Sequence, residues 1–251
     1  MTSTATAWVF LHGGQHGSWC WSALLAQMSA ADRARTLLLD VPGCGLKRQR
    51  GDESPTLAEV VAELNAEVAA AGFGPAVLVG HSMAGSLLPL MVAAAPQRYR
   101  QVVYLAACVP RPGDSVMATM GGTVRGLDPA VVGWPMDPAT TAPEALLRAM
   151  FGPGLEAHTL SHLLREAVQD HWPMSLATAA LPHDGQGLSV PADYIVTLQD
   201  PILPVAWQGR FAERAGARAM HQLDAPHEAF LSHPAALAAL LARMAAPEPE
   251  P

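Results

Sequence analysis

The stretch Val77-Leu78-Val79-Gly80-His81-Ser82-Met83-Ala84-Gly85 joins an apolar run to a turn of small residues, and a helical pattern follows. A strand that turns sharply into a helix holds a central serine in a strained conformation, with its hydroxyl above the sheet edge. The pattern is close to G-x-S-x-G, with Ala84 in the last position. Gly80 and Ala84 are small, we predict, because larger side chains would collide where strand and helix meet. Ser82 is therefore the candidate nucleophile, and the alternative is a serine that caps an ordinary helix.

Other apolar runs of strand length alternate with longer helical patterns along the chain. Together with Ala76–Gly80, the predicted strands are Ala7–Leu11, Thr36–Asp40, Gln101–Ala106, Ala192–Leu198 and Arg218–Leu223. A helix is predicted over 55–71, with Ser54 as its N-cap and Gly72 at its end. This alternation predicts the α/β class, with a mostly parallel six-stranded sheet that has helices on both faces.

Residues 111–190 interrupt the alternation, because they contain helical stretches amid Gly and Pro but no good strand. Thr141 and Glu144 form a capping-box pattern at the start of one of these helices. We predict a core formed by 1–110 and 191–246, a helical cap (lid) formed by 111–190, and a disordered tail at 247–251. The alternative for the insertion is a plain connecting subdomain.

Composition excludes several classes of function. The chain of 251 residues is 50% apolar and carries a formal net charge of −7, with Lys47 as its single lysine. Nucleic-acid binding needs a clustered positive surface, so no nucleic-acid partner is predicted. No apolar run reaches the ~20 residues that span a bilayer, so no membrane partner is predicted either. Cys20, Cys44 and Cys108 are odd in number and lack the spacing of a zinc site, which indicates a reducing compartment. We therefore predict a cytoplasmic protein. A homodimer is left open.

A serine hydroxyl needs a neighbouring base to accept its proton. In sheets of this type the chain order is serine, acid, histidine, which leaves His221, His227 and His233 as candidates. His221 lies inside a predicted strand, and His233 stands beside Pro234 on a predicted helix. His227 follows the last strand in a loop at its carboxyl end, where ligands collect in open α/β sheets. His227 is the predicted base, and the alternative is a surface loop histidine.

The orienting acid should follow the preceding strand. Asp200 comes just after 194–198, and Pro201 prevents that strand from continuing. Its carboxylate would hold the His227 tautomer and stabilise the imidazolium. The rival Asp224 is predicted to shape its own loop, and Asp40 to be a structural turn residue.

A glycine-rich loop follows the first strand at 11–17, Leu-His-Gly-Gly-Gln-His-Gly. Glycines let the backbone approach a bound carbonyl, and amide groups there can stabilise a developing oxyanion. The predicted donors are the backbone N–H groups of Gly14 and Met83. The loop lacks the G-K-[ST] ending and the G-x-G-x-x-G spacing, so nucleotide binding is not predicted.

The motifs at 12–21 and 80–85 resemble the α/β-hydrolase branch that contains plant methyl-ketone and methyl-salicylate esterases and hydroxynitrile lyases. The resemblance covers nearly the whole chain and weakens in 111–190. It implies a core sheet with a helical cap, a buried apolar pocket, no metal and small ester substrates. The branch's catalytic Ser, Asp and His fall on Ser82, Asp200 and His227, which are the nucleophile, acid and base predicted above from the sequence.

Two positions depart from the lyases of this branch, which place Thr at position 13 and Lys directly after the histidine. Here Gly13 and Glu228 stand at those positions. Without the lysine a departing cyanide is harder to stabilise, so the comparison favours an esterase. A carboxylate at Glu228, beside the base, could alter the pKa of His227.

Substrate contacts are predicted for Gly13, His81, Trp134, Met150 and Phe151, which lie near the nucleophile or in the predicted cap. The alternative for the apolar members is simple packing, because Met and aromatic side chains in a cap are often core residues.

One further pattern has the residue types of a metal site. His158, His162 and Glu166 repeat at helical spacing, but no fourth ligand is evident. We interpret them as a solvated face of the cap.

The sequence thus predicts a serine hydrolase that cleaves a small, mostly apolar carboxylic ester through an acyl-enzyme, without metal or cofactor. A first alternative is a lyase, cyclase or cofactor-free oxygenase in which His227 acts as a plain base. A second is a ligand-binding receptor that retains the hydrolase fold.

Overall fold

A computed structural model describes residues 5–51 and 53–246 of the chain. Within these residues the strands are β1 (Trp8–Leu11), β2 (Thr36–Leu39), β3 (Ala76–His81), β4 (Tyr99–Leu105), β5 (Ala192–Thr197) and β6 (Ala219–Leu223). They form one sheet in the order β2-β1-β3-β4-β5-β6, and all neighbours are parallel. The predicted six-stranded sheet is confirmed, and it is wholly rather than mostly parallel. The tail 247–251 lies outside the described residues.

Helices cover both faces of this sheet. The α-helices of the described chain are α1 (Ser22–Gln27), α2 (Ala30–Arg33), α3 (Leu57–Ala70), α4 (Leu88–Ala94), α5 (Val116–Met120), α6 (Pro143–Phe151), α7 (Ala157–Ala167), α8 (Met174–Ala177), α9 (Val205–Arg214), α10 (Ala229–Ser232) and α11 (Pro234–Ala245). Short 3-10 helices lie at Ser18–Trp21, Gly45–Arg50, Ser82–Ser86 and Pro96–Arg98. In the described part of the chain, no helix has both the length and the apolar character needed to cross a bilayer.

The two faces of the sheet bury different side chains, because successive residues of a strand point in opposite directions. In β1, Trp8 and Phe10 join a core with α1, α10 and α11, whereas Val9 and Leu11 join a second core with α3, α4 and α9. Burial on both faces explains why the central strands β1 and β3 are nearly continuous apolar runs, whereas the edge strand β6 carries the polar His221 and Gln222.

The start of α3 differs from the prediction. The helix begins at Leu57, and its N-cap is Thr56 rather than Ser54. The Thr56 hydroxyl accepts a hydrogen bond from the Glu59 N–H (3.2 Å), and the Glu59 carboxylate accepts one from the Thr56 N–H (2.8 Å). This capping box satisfies two backbone donors, whereas a cap at Ser54 would satisfy one. Gly72 follows the last turn with φ +68°, as its predicted place at the helix end requires.

The capping box predicted at Thr141 and Glu144 is wrong. Helix α6 begins at Pro143, and its N-cap Ala142 makes no side-chain cap bond. Proline suits the first turn because its missing N–H needs no acceptor there. Glu144 pairs instead with Arg148, one turn along the helix, at 3.1 Å.

The segment between β4 and β5 carries α5 to α8 and, in the described chain, no strand beyond an isolated bridge of Val124 with Trp134. Buried Asp170 links it to the core. Its carboxylate accepts hydrogen bonds from Trp19 Nε1 (2.7 Å), the Gly45 N–H (2.7 Å) and Arg48 Nε (2.6 Å). That this segment acts as a lid stays a prediction.

Candidate active site

Ser82 lies at the carboxyl end of β3, where the chain turns sharply into a 3-10 helix. Its φ is +53°, in the left-handed region that side chains other than glycine rarely adopt. The Ser82 carbonyl accepts a hydrogen bond from the Cys108 N–H (2.9 Å), which ties the turn to the chain beyond β4. Holding a serine in this conformation costs about 1–3 kcal/mol, and the packing around the turn must offset that cost.

The small residues of the turn are required by close packing. A Cβ added to Gly80 would lie 2.6 Å from Leu88 Cδ2. Ala84 is completely buried. A Cβ on Gly85 would overlap the carbonyl oxygen of Cys108, which is main chain and cannot easily move away.

The Gly85→Ala variant is therefore expected to lose about 1–3 kcal/mol of unfolding free energy. The matched control is Gly209→Ala in α9, where an added Cβ meets no described heavy atom within 4 Å beyond its own helix and neighbours. That control is expected to gain about 0.5–1 kcal/mol, since alanine favours a helix interior over glycine. Urea titrations of both variants check this, and equal midpoints would contradict the packing argument.

Asp200 and His227 are brought together from the ends of β5 and β6. The His227 Nδ1 atom lies 2.6 Å from Asp200 Oδ2, and both side chains are buried. Because a carboxylate only accepts, Nδ1 carries the proton and Nε2 is left as the acceptor.

Other groups fix the Asp200 carboxylate. Its Oδ1 accepts hydrogen bonds from the N–H groups of Ile202 (2.7 Å) and Leu203 (2.8 Å). Its Oδ2 accepts a further bond from the Thr197 hydroxyl (2.8 Å). Thr197 was missed from the sequence, because its position as the last residue of β5 does not itself show where its hydroxyl points.

The environment of His227 sets its protonation. Burial disfavours the imidazolium, but the charge of Asp200 and the hydrogen bond to it outweigh burial and raise the pKa of His227 above its usual value. Its buried Nε2 has no hydrogen-bond partner among the described residues, Ser82 included. The hydroxyl–imidazole bond of a serine nucleophile is often loose before substrate binds.

The glycine-rich loop approaches the nucleophile closely. A Cβ on Gly13 would lie 2.8 Å from Ser82 Cβ, and one on Gly14 would overlap the Met83 sulfur. Met83 is in the first turn of the 3-10 helix, where N–H groups lack intrahelical acceptors. The two predicted oxyanion donors, Gly14 and Met83, are therefore neighbours.

His12 orients one peptide of this loop. Its Nδ1 donates to the Gly13 carbonyl (2.8 Å), and its Nε2 accepts from the Val41 N–H (3.2 Å). Burial lowers the pKa of His12, which agrees with a neutral ring. A trans peptide directs its N–H away from its carbonyl, so this bond aims the Gly14 N–H to the opposite side. That N–H donates to no residue the structure describes.

A cavity of about 240 Å³ opens beside Ser82. Its walls are mostly apolar and include Met117, Met120, Trp134, Leu147, Met150 and Phe151. His81 also lines it, so four of the five predicted contact residues border the cavity. Gly13 is the exception, because it packs against Ser82 and His81 rather than forming part of the wall.

Cys108 borders the same cavity. Burial raises the pKa of its thiol to about 12, so the thiol stays protonated at neutral pH. Since the thiolate is the nucleophilic form, Cys108 does not compete with Ser82.

A cluster of buried side chains surrounds the histidine base. His81, His227 and Glu228 each offer an atom such that all lie within 4.8 Å of one another. Glu228 also contacts His16, because the Glu228 carboxylate lies 3.2 Å from His16 Nε2. Sequence reasoning noted Glu228 but missed His16. A metal ion bound there through His227 Nε2 would occupy the lone pair with which a histidine base accepts the serine proton.

Comparison with known proteins identifies the family of this chain. A family model described as "Alpha/beta hydrolase family" matches residues 8–240. The chain belongs to this family. The predicted resemblance and fold class are therefore confirmed.

The curated relatives of this alpha/beta hydrolase include named esterases. The probable esterase PIR7A of Oryza sativa subsp. indica is 36% identical over 157 residues, which are 61% of this chain and 58% of the rice protein. In that match the chain thus spans less than two thirds of its relative. Methylesterase 7 of Arabidopsis thaliana is 29% identical over 252 residues, covering 94% of this chain and 95% of that protein.

Solved structures share the fold at lower identity. A methylesterase MES16 from Arabidopsis superimposes with a TM-score of 0.70 and 21% identity, covering 96% of this chain and 98% of that one. A pyrethroid hydrolase from Sphingobium faniae JZ-2 gives a TM-score of 0.73 at 20% identity, covering 96% and 97%. At these identities the likeness concerns the fold alone.

The rival acids and histidines of this alpha/beta hydrolase have other partners. His221 lies in β6, 3.4 Å from Asp193 Oδ1. Asp224 accepts a hydrogen bond from Gln199 Nε2 (2.7 Å). Asp40 accepts hydrogen bonds from Ser18, in the 3-10 helix after β1, and from the Leu46 N–H beyond its own turn.

The helical His158, His162 and Glu166 pattern is part of α7 in the same alpha/beta hydrolase. His162 is about half exposed, and Glu166 forms an ion pair with Arg48 at 2.8 Å.

Proposed function

We propose that this chain hydrolyses a small, mostly apolar carboxylic ester through an acyl-enzyme formed on Ser82. The observation that carries the proposal is the 2.6 Å bond between His227 Nδ1 and Asp200, at the sheet edge where Ser82 is held at φ +53°. A base oriented by a carboxylate, at the same sheet edge as a strained serine and a glycine-rich loop, is the arrangement that acyl transfer needs.

In the proposed mechanism, neutral His227 takes the Ser82 proton at Nε2 while the hydroxyl oxygen attacks the ester carbonyl. Asp200 holds the proton on Nδ1 and stabilises the imidazolium. The Gly14 and Met83 N–H groups stabilise the oxyanion, each contributing about 3–4 kcal/mol of barrier lowering. His227 then returns the proton to the leaving alkoxide, and water, activated by the same base, releases the acid.

The cavity supports a small apolar substrate. Its volume of about 240 Å³ is below the ~300–1,000 Å³ typical of pockets for drug-sized ligands. Its walls offer Met, Leu and aromatic side chains, which favour an apolar acyl or alcohol group. Relatives named esterase, methylesterase and pyrethroid hydrolase support an ester as the bond that is cleaved.

A substrate screen tests the proposal. Short-chain, aromatic and methyl esters are incubated with the protein, and acid release is measured. We expect turnover of small apolar esters and weak turnover of charged or bulky ones. Tight product binding with no turnover of any ester class would instead favour the receptor alternative.

The pH dependence gives a second test. We expect kcat/KM to fall about tenfold per pH unit below a midpoint that lies above about 6.5, the ordinary pKa of histidine. Only neutral His227 accepts the serine proton, and Asp200 raises the pKa at which it becomes neutral. Glu228 adds to this rise, whereas His16 opposes it. Steady-state rates between pH 5 and 9 on an uncharged ester measure the midpoint, and a flat profile from pH 5 to 8 would contradict His227 as base.

A further inference from the structure

An ionisable pair is buried beside the oxyanion loop. His16 is 0% exposed and Glu228 is 1% exposed, and His16 Nε2 lies 3.2 Å from Glu228 Oε2. Neither oxygen of Glu228 accepts a hydrogen bond from a described residue, so its contact with His16 is an ion pair without ideal hydrogen-bond geometry. Because a buried carboxylate without a cation is strongly unfavourable, the pair is best satisfied with His16 as an imidazolium.

The other nitrogen of His16 reaches the loop itself. Its Nδ1 lies 2.8 Å from the Gly14 carbonyl oxygen and must donate, because a carbonyl only accepts. Between the two residues, Gln15 has φ +60°, a left-handed conformation that is unfavourable for a residue with a Cβ. The imidazole bond therefore closes a strained turn of the predicted oxyanion loop.

We propose that His16, held in place by Glu228, is a positioning residue that fixes the Gly14–Gln15 peptide of the oxyanion loop. His12 fixes the preceding peptide through the Gly13 carbonyl, so two buried histidines bond consecutive carbonyls of this loop. The inference rests on the proposed ester hydrolysis, because it assigns the pair to stabilisation of the tetrahedral intermediate.

The surroundings of His16 agree with a charged ring. Burial opposes protonation, but Glu228 outweighs it and raises the pKa of His16 above its usual value. The other titratable groups whose charges act on His16 or whose rings face it are Asp170, His12, His81 and His227. Aromatic rings enclose the remaining sides, with Trp19 stacked at 5.5 Å and Phe151 edge-on at 4.9 Å between ring centroids.

A matched pair of variants tests the proposal. In Glu228→Met the His16 Nε2 atom loses its charged partner, and we expect kcat to fall about 10- to 100-fold because the ring and the oxyanion loop bonded to it shift. In Glu228→Gln the side-chain amide can donate to His16 Nε2, which keeps the proton on Nδ1, so kcat should recover to within about fivefold of the parent. KM should change little in either variant, because an oxyanion forms only in the transition state.

A second, activity-independent readout follows the ring itself. In ¹⁵N-histidine NMR of the Ser82→Ala chain at pH 6.5, the ordinary pKa of histidine, the His16 resonances, assigned by loss in His16→Phe, should show both nitrogens mostly protonated. The Glu228→Gln substitution should convert them to a neutral ring. These spectra separate the two proposals, since they remain informative even when no ester is turned over.

The positioning role would be overturned by equal kcat values for Glu228→Met and the parent on an ester that the parent hydrolyses. It would also be overturned by a loss in Glu228→Met that appears in KM alone, or by a mostly neutral His16 ring at pH 6.5 in the chain that retains Glu228. Thermal unfolding of each variant is measured in parallel. If Glu228→Gln is folded but loses as much kcat as Glu228→Met, the proposal is also wrong.

Discussion

The Ser82→Ala variant is expected to lose about 10³- to 10⁶-fold in kcat/KM for any ester that the parent hydrolyses. Alanine removes the oxygen that forms the acyl-enzyme, while the oxyanion donors and the cavity remain. The residual rate would then come from water attacking an ester that is bound and polarised. Steady-state assays on the best substrate of the ester screen measure the loss.

Two controls accompany this variant. Thermal unfolding should show that Ser82→Ala is folded, because the hydroxyl makes no hydrogen bond to His227 that alanine would break. Ser161→Ala, on the exposed face of α7, removes a serine whose hydroxyl bonds only to the Ala157 carbonyl of its own helix, and its rate should equal the parental one. A Ser82→Ala chain that turns over substrate at the parental rate would exclude the covalent mechanism.

The Asp200→Asn variant is expected to lose about 10⁴-fold in kcat. Oδ1 of Asp200 is held by the N–H groups of Ile202 and Leu203, so the oxygen of asparagine would keep that place. The amide NH₂ would then face His227 Nδ1 and the Thr197 hydroxyl, where a carboxylate oxygen now accepts. An NH₂ donating to Nδ1 forces the imidazole proton onto Nε2, which can no longer accept from the serine.

Asp224→Asn is the matched control for this substitution. Asp224 is exposed, lies three residues before His227, and pairs with Gln199 at the surface. The same change of chemistry there should leave kcat within about twofold, because exposed pairs contribute little. If Asp224→Asn carries the large loss and Asp200→Asn does not, the assignment of the acid is reversed.

Much of the fold could be predicted from the sequence, because its signals are local. Most strands are short apolar runs, and parallel pairing brings the carboxyl ends of all six to one sheet edge. The residues just after β3, β5 and β6 must therefore meet, and Asp200 and His227 do meet there. The chain order left three histidines, and the place of His227 in the loop after the last strand was sufficient to choose it over His221 and His233.

Helix starts were predicted less well, because several residues compete to cap one end. Ser54 and Thr56 both suit an N-cap, and only Thr56 has a glutamate three residues later that can return the bond. At α6 the threonine–glutamate spacing was present but proline at Pro143 fixed the start instead. The choice depends on backbone geometry that the pattern does not specify.

The His16–Glu228 pair could not be predicted, because it depends on tertiary packing between the loop after β1 and the turn before α10. His16 lies in the glycine-rich loop, two residues after Gly14, and Glu228 directly follows His227. Two ionisable residues next to motifs expected to meet at one edge would have been the available signal. The contact is strong because both side chains are buried, and the sequence does not show which loop residues are buried.

Modification by a fluorophosphonate, followed by intact mass and peptide mapping, shows directly whether Ser82 is an activated nucleophile. We expect a single phosphonyl adduct on Ser82 at pH 8, absent in Ser82→Ala and formed far more slowly in Asp200→Asn. A folded parental chain that remains unmodified, or that carries its adduct on another residue, would contradict Ser82 as the activated nucleophile and favour an enzyme in which His227 acts alone.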